Sequence, residues 1–478
     1  MVSRKLLLAV LLVFTTLSGL AQTLTRMTNQ PPDGAGISFL LTDGTVVTQA
    51  NSESGWAKLT PDKNGSYVNG TWKTIASLPS GYVPDAFASA VLADGRLVIS
   101  GGEYNNNQFA FTNLGAIYDP VKDTWTKLGH PKNWGWIGDS PSVVLPDGRF
   151  LVGEKFYKRD AYLDPKTLQW TEVGDAGKRD FNAEEGWTLM PDGSVLTFDC
   201  KDAPHSERYI PSQQKWVSAG STHVDLHSPY QGSCIPYDNG KKCYHPPGEV
   251  GPGILRPDGT VFATGSGSNG GSGPGHTAVY HPSTGKWTVG PDFPNGDNAG
   301  DSFAVLLPNG NALVLGVSGT MYDFDGKNFK PDPVGGVAPI LVLPTGQVLA
   351  VGNDVYAYNP KGKYKASWAP TISDYPSTVS RGSTYKISGT QFNGLSQAAA
   401  FGDEDQTATN YPLVRITNNS TGHVFYAKTH DHSTMGVATG KKTVSTNFDV
   451  PPKMETGDSS LEVVANGIPS AKVSITVQ

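Results

Sequence analysis

Hydrophobic runs closed by a turn of the Leu-Pro-Asp-Gly kind recur along this chain, and that recurrence narrows the folds open to it more than any other feature. The turns are Thr42-Asp43-Gly44, Ala93-Asp94-Gly95, Pro146-Asp147-Gly148, Pro191-Asp192-Gly193, Pro257-Asp258-Gly259, Pro308-Asn309-Gly310 and Pro344-Thr345-Gly346. Asp-Gly and Asn-Gly tolerate the positive φ of tight hairpins, so each turn marks two antiparallel strands joined back to back. Spacings of about 36 to 66 residues are those of propeller blades.

The second half of each unit supports the same reading. A Tyr-X-Pro type turn is followed by an aromatic, as in Tyr118 to Trp125, Tyr162 to Trp170, Tyr209 to Trp216, Tyr280 to Trp287, Tyr322 to Phe329 and Tyr358 to Tyr364. Four strands per unit follow, with the aromatics packed in the core between neighbouring units. A chain of 478 residues with 56 Gly, 35 Pro and few helical periodicities is expected to be all-β, with one large and one small domain. There is no sign of a Rossmann or P-loop core. The net charge of −6, without a run of Lys or Arg, argues against nucleic acid or an anionic membrane as partner.

Residues 1–21 read as a signal peptide: Arg4 and Lys5 precede the apolar stretch Leu6 to Phe14, and Gly19-Leu20-Ala21 supplies small residues for cleavage. No later stretch is long and apolar enough for a membrane span. A secreted or periplasmic protein is expected, and a monomer. Export permits disulfides, and Cys234 with Cys243, flanking Asp238-Asn239-Gly240, is the preferred pairing. Cys200 is then a single, buried and inert thiol. The repeat stops after residue 367. Residues 368–478 alternate apolar and polar positions, as in Leu461-Glu462-Val463-Val464-Ala465, and suggest a compact β-sandwich.

A propeller over 22–367, a sandwich over 368–478 and the closing Asn466-Gly467-Ile468-Pro469-Ser470 together resemble the galactose oxidase and glyoxal oxidase family. The resemblance implies a seven-bladed Kelch-type β-propeller followed by an immunoglobulin-like "early set" domain. It also implies copper held by two tyrosines and two histidines, one tyrosine being cross-linked to a cysteine. Carried over position by position, the cysteine falls at Ala88 and its tyrosine at Asp139. The Tyr-His pair falls at Glu249-Val250, with Tyr244-His245 about five residues too early, and the last histidine at Glu404 or Asp405. Copper is therefore not expected.

What stands there instead is acidic. Asp85, Asp139, Glu184, Glu185, Glu249 and Asp301 each lie about seven to nine residues before their turn, where a propeller gathers equivalent positions at one mouth of its channel. Converging carboxylates raise one another's pKa or hold a cation, and hard oxygen donors favour Ca²⁺ or Mg²⁺ over copper or zinc. Asp139, Glu249 and Glu404 are the metal candidates. The competing account has these acids capping strand ends. Around the mouth, the insertion Thr222 to Gly248 carries His223, His227, Tyr230, Tyr237 and His245 and is expected to form a rim or lid. The Gly-rich Gly265 to Gly275 reads as flexible rim. Trp134 and Trp136 are candidates to stack on a sugar face, with packing as the alternative.

His430-Asp431-His432 resembles a metal pair without an evident third ligand. No Gly-X-Ser-X-Gly elbow occurs in a strand-to-helix setting. Asn64, Asn69, Asn418 and Asn419 begin glycosylation sequons. Two readings of function follow. One is a non-catalytic secreted protein whose acidic, aromatic-rimmed funnel binds a carbohydrate or other extracellular ligand, through a divalent cation or without one. The other is an enzyme, either a carboxylate-based lyase or hydrolase pairing Asp139 with Glu249 or Glu185, or an oxidase with copper relocated to Tyr244, His245 and His223 or His227.

Overall fold

The computed structural model describes residues 22–228, 233–237, 242–244, 248–269 and 272–478. The expected signal peptide and His245 lie outside the described residues, as does Tyr230. The described chain is all-β and propeller-like, built from four-stranded antiparallel sheets in chain order. The first sheet runs outward from Ser38–Leu40 through Val46–Gln49 and Trp56–Thr60 to Thr71–Ile75, and the second from Ala88–Val91 to Thr124–Leu128. The third starts at Ser142–Val144, the fourth at Thr188–Leu189, the fifth at Gly253–Leu255, the sixth at Ala304–Leu306 and the seventh at Ile340–Val342. Inner strands of neighbouring sheets pack on one another, and the seventh sheet takes its outermost strand, Thr23–Arg26, from the other end of the chain.

The Asp-Gly turns show why these strands form. In the first, Leu41 N–H donates to Thr45 O at 2.7 Å, the Asp43 carboxylate accepts from Thr45 N–H at 3.0 Å, and Gly44 adopts φ 75°. Asp94, Asp147, Asp192, Asp258 and Asn309 accept the same bond from the residue two positions on. The acid supplies the side-chain acceptor of an Asx turn and the glycine the left-handed backbone, so the pair specifies the hairpin.

The aromatics stitch each sheet to the preceding one. Trp125 donates its indole N–H to Ala76 O, Trp170 to Gly129 O, Trp216 to the Asp160 carboxylate and Trp287 to Ala219 O. Trp125 also packs on Trp56 with ring centroids 5.0 Å apart. Each ring thus buries its apolar body while its polar atom finds a partner.

The C-terminal strands, from Thr371–Asp374 to Val473–Val477, have a separate core that includes Val379, Ile387, Val414, Phe448, Leu461 and Ile475. This part sits on the face of the Asp-Gly turns: Thr429 N–H donates to Thr42 O and Met435 N–H to Pro146 O, each at 3.0 Å. From it a finger enters the axis. Ala399–Ala400 pairs with Ala304 and Val305 of the sixth sheet's inner strand, and Gln397 accepts from Leu189 N–H. Beyond the pairing, Asp403, Glu404 and Asp405 emerge at the opposite mouth.

Candidate functional site

The loops entering the inner strands turn sharply before they reach that mouth. Gly138 and Gly248 take positive φ there, at 75° and 97°, and Glu184 and Asp301 do the same at 60° and 46°. For a residue with a Cβ this conformation costs roughly 1–2 kcal/mol. Acidic side chains are therefore held where glycine would be easier, a form of strain that concentrates at functional sites.

Asp139, Glu184, Glu249, Asp301 and the finger's Asp403 and Glu404 converge around Lys155, which follows the strand Phe150–Gly153. Lys155 Nζ pairs with Asp139, with Glu184 at 2.7 Å and with Asp403 at 3.3 Å, and it is almost completely buried. Glu184 N–H donates to the same Asp403 oxygen at 3.2 Å. Carboxylate oxygens of Asp139, Asp403 and Glu404 lie within 4.8 Å of one another, as do those of Glu184, Glu249 and Asp301. The three metal candidates are thus divided: Asp139 and Glu404 belong to the first group and Glu249 to the second, because the finger comes between them with its own Asp403.

One ammonium does not offset this charge. Burial pushes Asp139 and Glu249 well above the usual carboxylate range, with Lys155 only partly opposing it, and pushes Glu184 up to about 8. Asp301, exposed on one side but crowded by the finger on the other, is raised to about 6 by desolvation and by Asp403. Burial and Asp403 also raise Glu404. Glu249 faces Asp301, and Glu404 faces Asp403, with carboxylate oxygens of each pair within 4.8 Å. Carboxylates gathered this closely favour protonation or an intervening cation. Asp139 Oδ1 and Asp403 Oδ1 are buried and accept no hydrogen bond among the described residues.

Beside the cluster opens a depression of ≈ 390 Å³ lined by Glu53, Asp85, Asp405, Phe303 and Phe401, among others. Burial raises the Glu53 and Asp405 carboxyls, and Asp85 adds to both shifts. Asp85 is therefore a rim residue at the solvent edge. Phe303 and Phe401, with centroids 4.5 Å apart, form the aromatic wall. The tryptophans do not share that role. Trp134 is 1% exposed, with Arg159 over its ring, and Trp136 is half-buried edge-on against Phe156. In Asn133-Trp134-Gly135-Trp136 the first indole is consumed by packing, which corrects its assignment as a sugar platform.

Glu185 is a second correction. Alternation along the chain turns it away from Glu184 into the fourth sheet, where it meets Lys178 at 2.6 Å and Thr197 at 3.3 Å. Lys178 also bonds Glu207 at 2.9 Å, and Glu207 accepts from the N–H groups of Arg179 and Asp180. Glu185 therefore cannot face Asp139 as an acid–base partner. Next to it, Asp199, His205 and Ser218 form a hydrogen-bonded line, with His205 Nδ1 2.6 Å from Asp199 and Nε2 2.8 Å from Ser218 Oγ. Ser218 lies within the strand Lys215–Ser221, and its Oγ also accepts from Gly220 N–H, which withdraws electron density from a would-be nucleophile.

Cys234 and Cys243 form a disulfide with Cα atoms 5.6 Å apart, across the short hairpin Ile235–Tyr237 and Lys242–Tyr244. Buried Cys200 donates to Glu184 O and Gly248 O, and burial raises its thiol well above the ordinary range. His430 is engaged by Asp431 and Asp449, whereas His432 is half-buried, its imidazole lowered to about 3 by desolvation, and stacked on Tyr411. The two imidazoles serve different contacts rather than one metal.

The axial donors do not fit the copper centre that the family resemblance implies. Among the described residues they are carboxylate oxygens and one ammonium, with buried Ala88 where the cross-linked cysteine would stand. Of the alternative copper set, His245 lies outside the described residues and His227 is held by Asp225.

No family model matches the chain. A curated relative, the Kelch-like protein terF of Aspergillus terreus (strain NIH 2624 / FGSC A1156), is 28% identical over 127 residues, a match spanning 26% of this chain and 26% of that protein. Among solved structures, a fungal alcohol oxidase of the AA5 family, in complex with copper, matches with a TM-score of 0.50 at 14% identity, covering 95% of this chain and 98% of the other. Virginiamycin B lyase from Staphylococcus aureus matches at 12% identity with a TM-score of 0.45, covering 70% and 98% of the two chains. The likeness to the alcohol oxidase concerns the fold alone.

Proposed function

We propose that this chain is a secreted seven-bladed Kelch-type propeller over residues 22–367 with an immunoglobulin-like domain over 368–478, and that its acidic mouth binds an extracellular polyhydroxylated ligand through a hard divalent cation, Ca²⁺ or Mg²⁺. The observation that carries this reading is the gathering of Asp139, Asp403 and Glu404, and of Glu184, Glu249 and Asp301, with oxygens within 4.8 Å of one another, beside the unbonded buried oxygens of Asp139 and Asp403. A cation would offset the gathered negative charge and satisfy those oxygens. The depression at Phe303 and Phe401 would then receive the apolar face of a sugar while its hydroxyls complete the coordination.

The test is titration calorimetry with CaCl2 and MgCl2 on chelator-treated protein, alongside elemental analysis. Near-stoichiometric binding, lost in the Asp139→Asn/Glu249→Gln variant, is expected. Absence of both metals in the folded wild type sinks the proposal.

One observation favours a second reading. Glu184, at about 8, is held protonated at neutral pH while Asp301, at about 6, is mostly ionised. That is the division of labour of a general acid and a general base in a carboxylate-dependent lyase or hydrolase. Turnover of a polysaccharide that vanishes in Glu184→Gln would select it over simple binding.

A further inference from the structure

On the face opposite the acidic mouth, the Asp-Gly-type turns of the sixth and seventh sheets, the segment after Asn359 and the C-terminal strands enclose a cleft of ≈ 680 Å³. That is within the range of pockets that take compact ligands, roughly 300–1,000 Å³. Its electrostatics are the reverse of the mouth. In a chain of net charge −6, the lining contains Lys361, Lys363 and Arg415 and no Asp or Glu. Arg415 is already held by Glu462 at 3.0 Å, but neither Lys361 nor Lys363 has an ion-pair partner among the described residues. The excess positive charge is therefore carried by these two lysines.

They are presented by a fixed turn. Asn309 donates its side-chain amide to Lys361 O at 2.7 Å, and Gly362, at φ 94°, lies against the same Asn309. A side chain at residue 362 would meet both the strained backbone and that contact. Gln347 and Asn359 are locked to each other at 2.7 Å, which orients amide groups beside the lysines. Tyr364 is 39% exposed, a large aromatic left at the solvent edge of the cleft. Cations for carboxylate or sulfate, amides for hydroxyls and an aromatic face for a pyranose ring are the elements of acidic-sugar recognition.

We propose that this cleft binds a short anionic oligosaccharide, uronate- or sulfate-bearing, independently of the axial mouth. Its volume and its two lysines on one short turn suit a few sugar rings. Lysine acts here as a point charge rather than a bidentate fork, so uronate and sulfate are both admitted.

The experiment is calorimetry on the full chain in EDTA with a tetra-galacturonate, a heparin-derived tetrasaccharide and a neutral cello-tetraose. Binding of at least one anionic probe is expected, with at least tenfold preference over cello-tetraose and weakening as NaCl is raised. Lys361→Gln/Lys363→Gln should reduce that affinity at least tenfold, and Tyr364→Ala should weaken it while leaving the Tm unchanged. Glu249→Gln at the mouth should have no effect. No binding of either anionic probe, or equal binding of cello-tetraose, overturns the proposal. Anionic binding that appears only with added calcium and is lost in Glu249→Gln also overturns it, by moving recognition to the mouth. Because the primary measurement is made in EDTA, failure of the cation reading at the mouth leaves this result unaffected.

Discussion

Two buried lysines in this molecule sit among carboxylates, and their surroundings differ in kind. Around Lys178 nearly every acid has a donor of its own: Glu207 takes two backbone N–H groups, Asp199 takes His205, Asp160 takes Trp216 and Asn182, and Glu185 takes Thr197. Although burial opposes its charge, Glu185 and Glu207 hold Lys178 above the ordinary lysine range. Around Lys155 six acids gather in two groups about a single ammonium, and burial raises carboxyls in both places, Glu185, Asp199 and Asp160 near Lys178 as well as Asp139, Glu184 and Glu404 near Lys155. The first is the more heavily hydrogen-bonded network, although Glu185 Oε1 and Asp199 Oδ1 accept no bond among the described residues. The second is short of positive charge, and that deficit is what distinguishes a candidate binding site from an ion pair that merely fills a core.

The sharpest way to break this distinction is to remove each lysine. Lys178→Met should destabilise the protein by about 3–5 kcal/mol, since it leaves Glu185 and Glu207 buried without their counter-charge. Lys155→Met should cost less than half of that, because the axial carboxyls lie at a mouth open to solvent at Asp301 and can take up protons as the ammonium is lost. Urea denaturation of the two variants decides the matter, and equal costs would erase the contrast. Gly186→Ala should follow at about 1–3 kcal/mol, because a Cβ there would meet Gly402 O at 2.0 Å and push the finger off the mouth. Its cation affinity should fall together with its stability, whereas an affinity unchanged from wild type would remove the finger from the site.

A pH series sharpens the comparison further. Glu184 and Asp301 have folded pKa values, about 8 and about 6, above the ordinary values of 4.5 and 3.8. The folded state therefore holds more protons than the unfolded one between those limits, and stability falls as pH rises from about 4 to about 8. Thermal melts in EDTA should show this decline, and saturating calcium should flatten it. A decline that calcium leaves untouched would assign it to groups away from the mouth. The smallest effect is expected for Asp301→Gly, which relieves a positive φ and should stabilise the metal-free protein by about 1 kcal/mol while weakening cation binding. Loss of stability instead would show that Asp301 is placed there for packing.

Much of the architecture was readable because it rests on local chemistry. Each Asp-Gly or Asn-Gly pair encodes its own hairpin through one side-chain acceptor and one left-handed glycine, and each blade tryptophan lies where its spacing from the preceding tyrosine suggests. The acids of the mouth were also visible, since they recur at a fixed offset from those turns. What escaped were properties of side-chain direction and long-range insertion. Glu184 and Glu185 are neighbours in sequence, yet the chain sends one to the axis and the other into a sheet. Lys155 and Lys178 look like ordinary surface lysines when read singly. Asp403 could not be placed before the finger was seen to enter the axis, and Phe303 with Phe401 come together only because of it. The cleft at Lys361 and Lys363 carried no periodic signal, because it forms between segments far apart in the chain.

The closing strand Thr23–Arg26 pairs with Val355–Asn359, and the axial finger comes from residues later still. During synthesis, then, the earliest part of this ring must wait for a partner more than three hundred residues behind it. Of the ring's own features, the acidic mouth is completed last. Intermediates on the way expose open sheet edges, which makes this a chain whose biogenesis depends on keeping its two ends apart from other chains until they find each other.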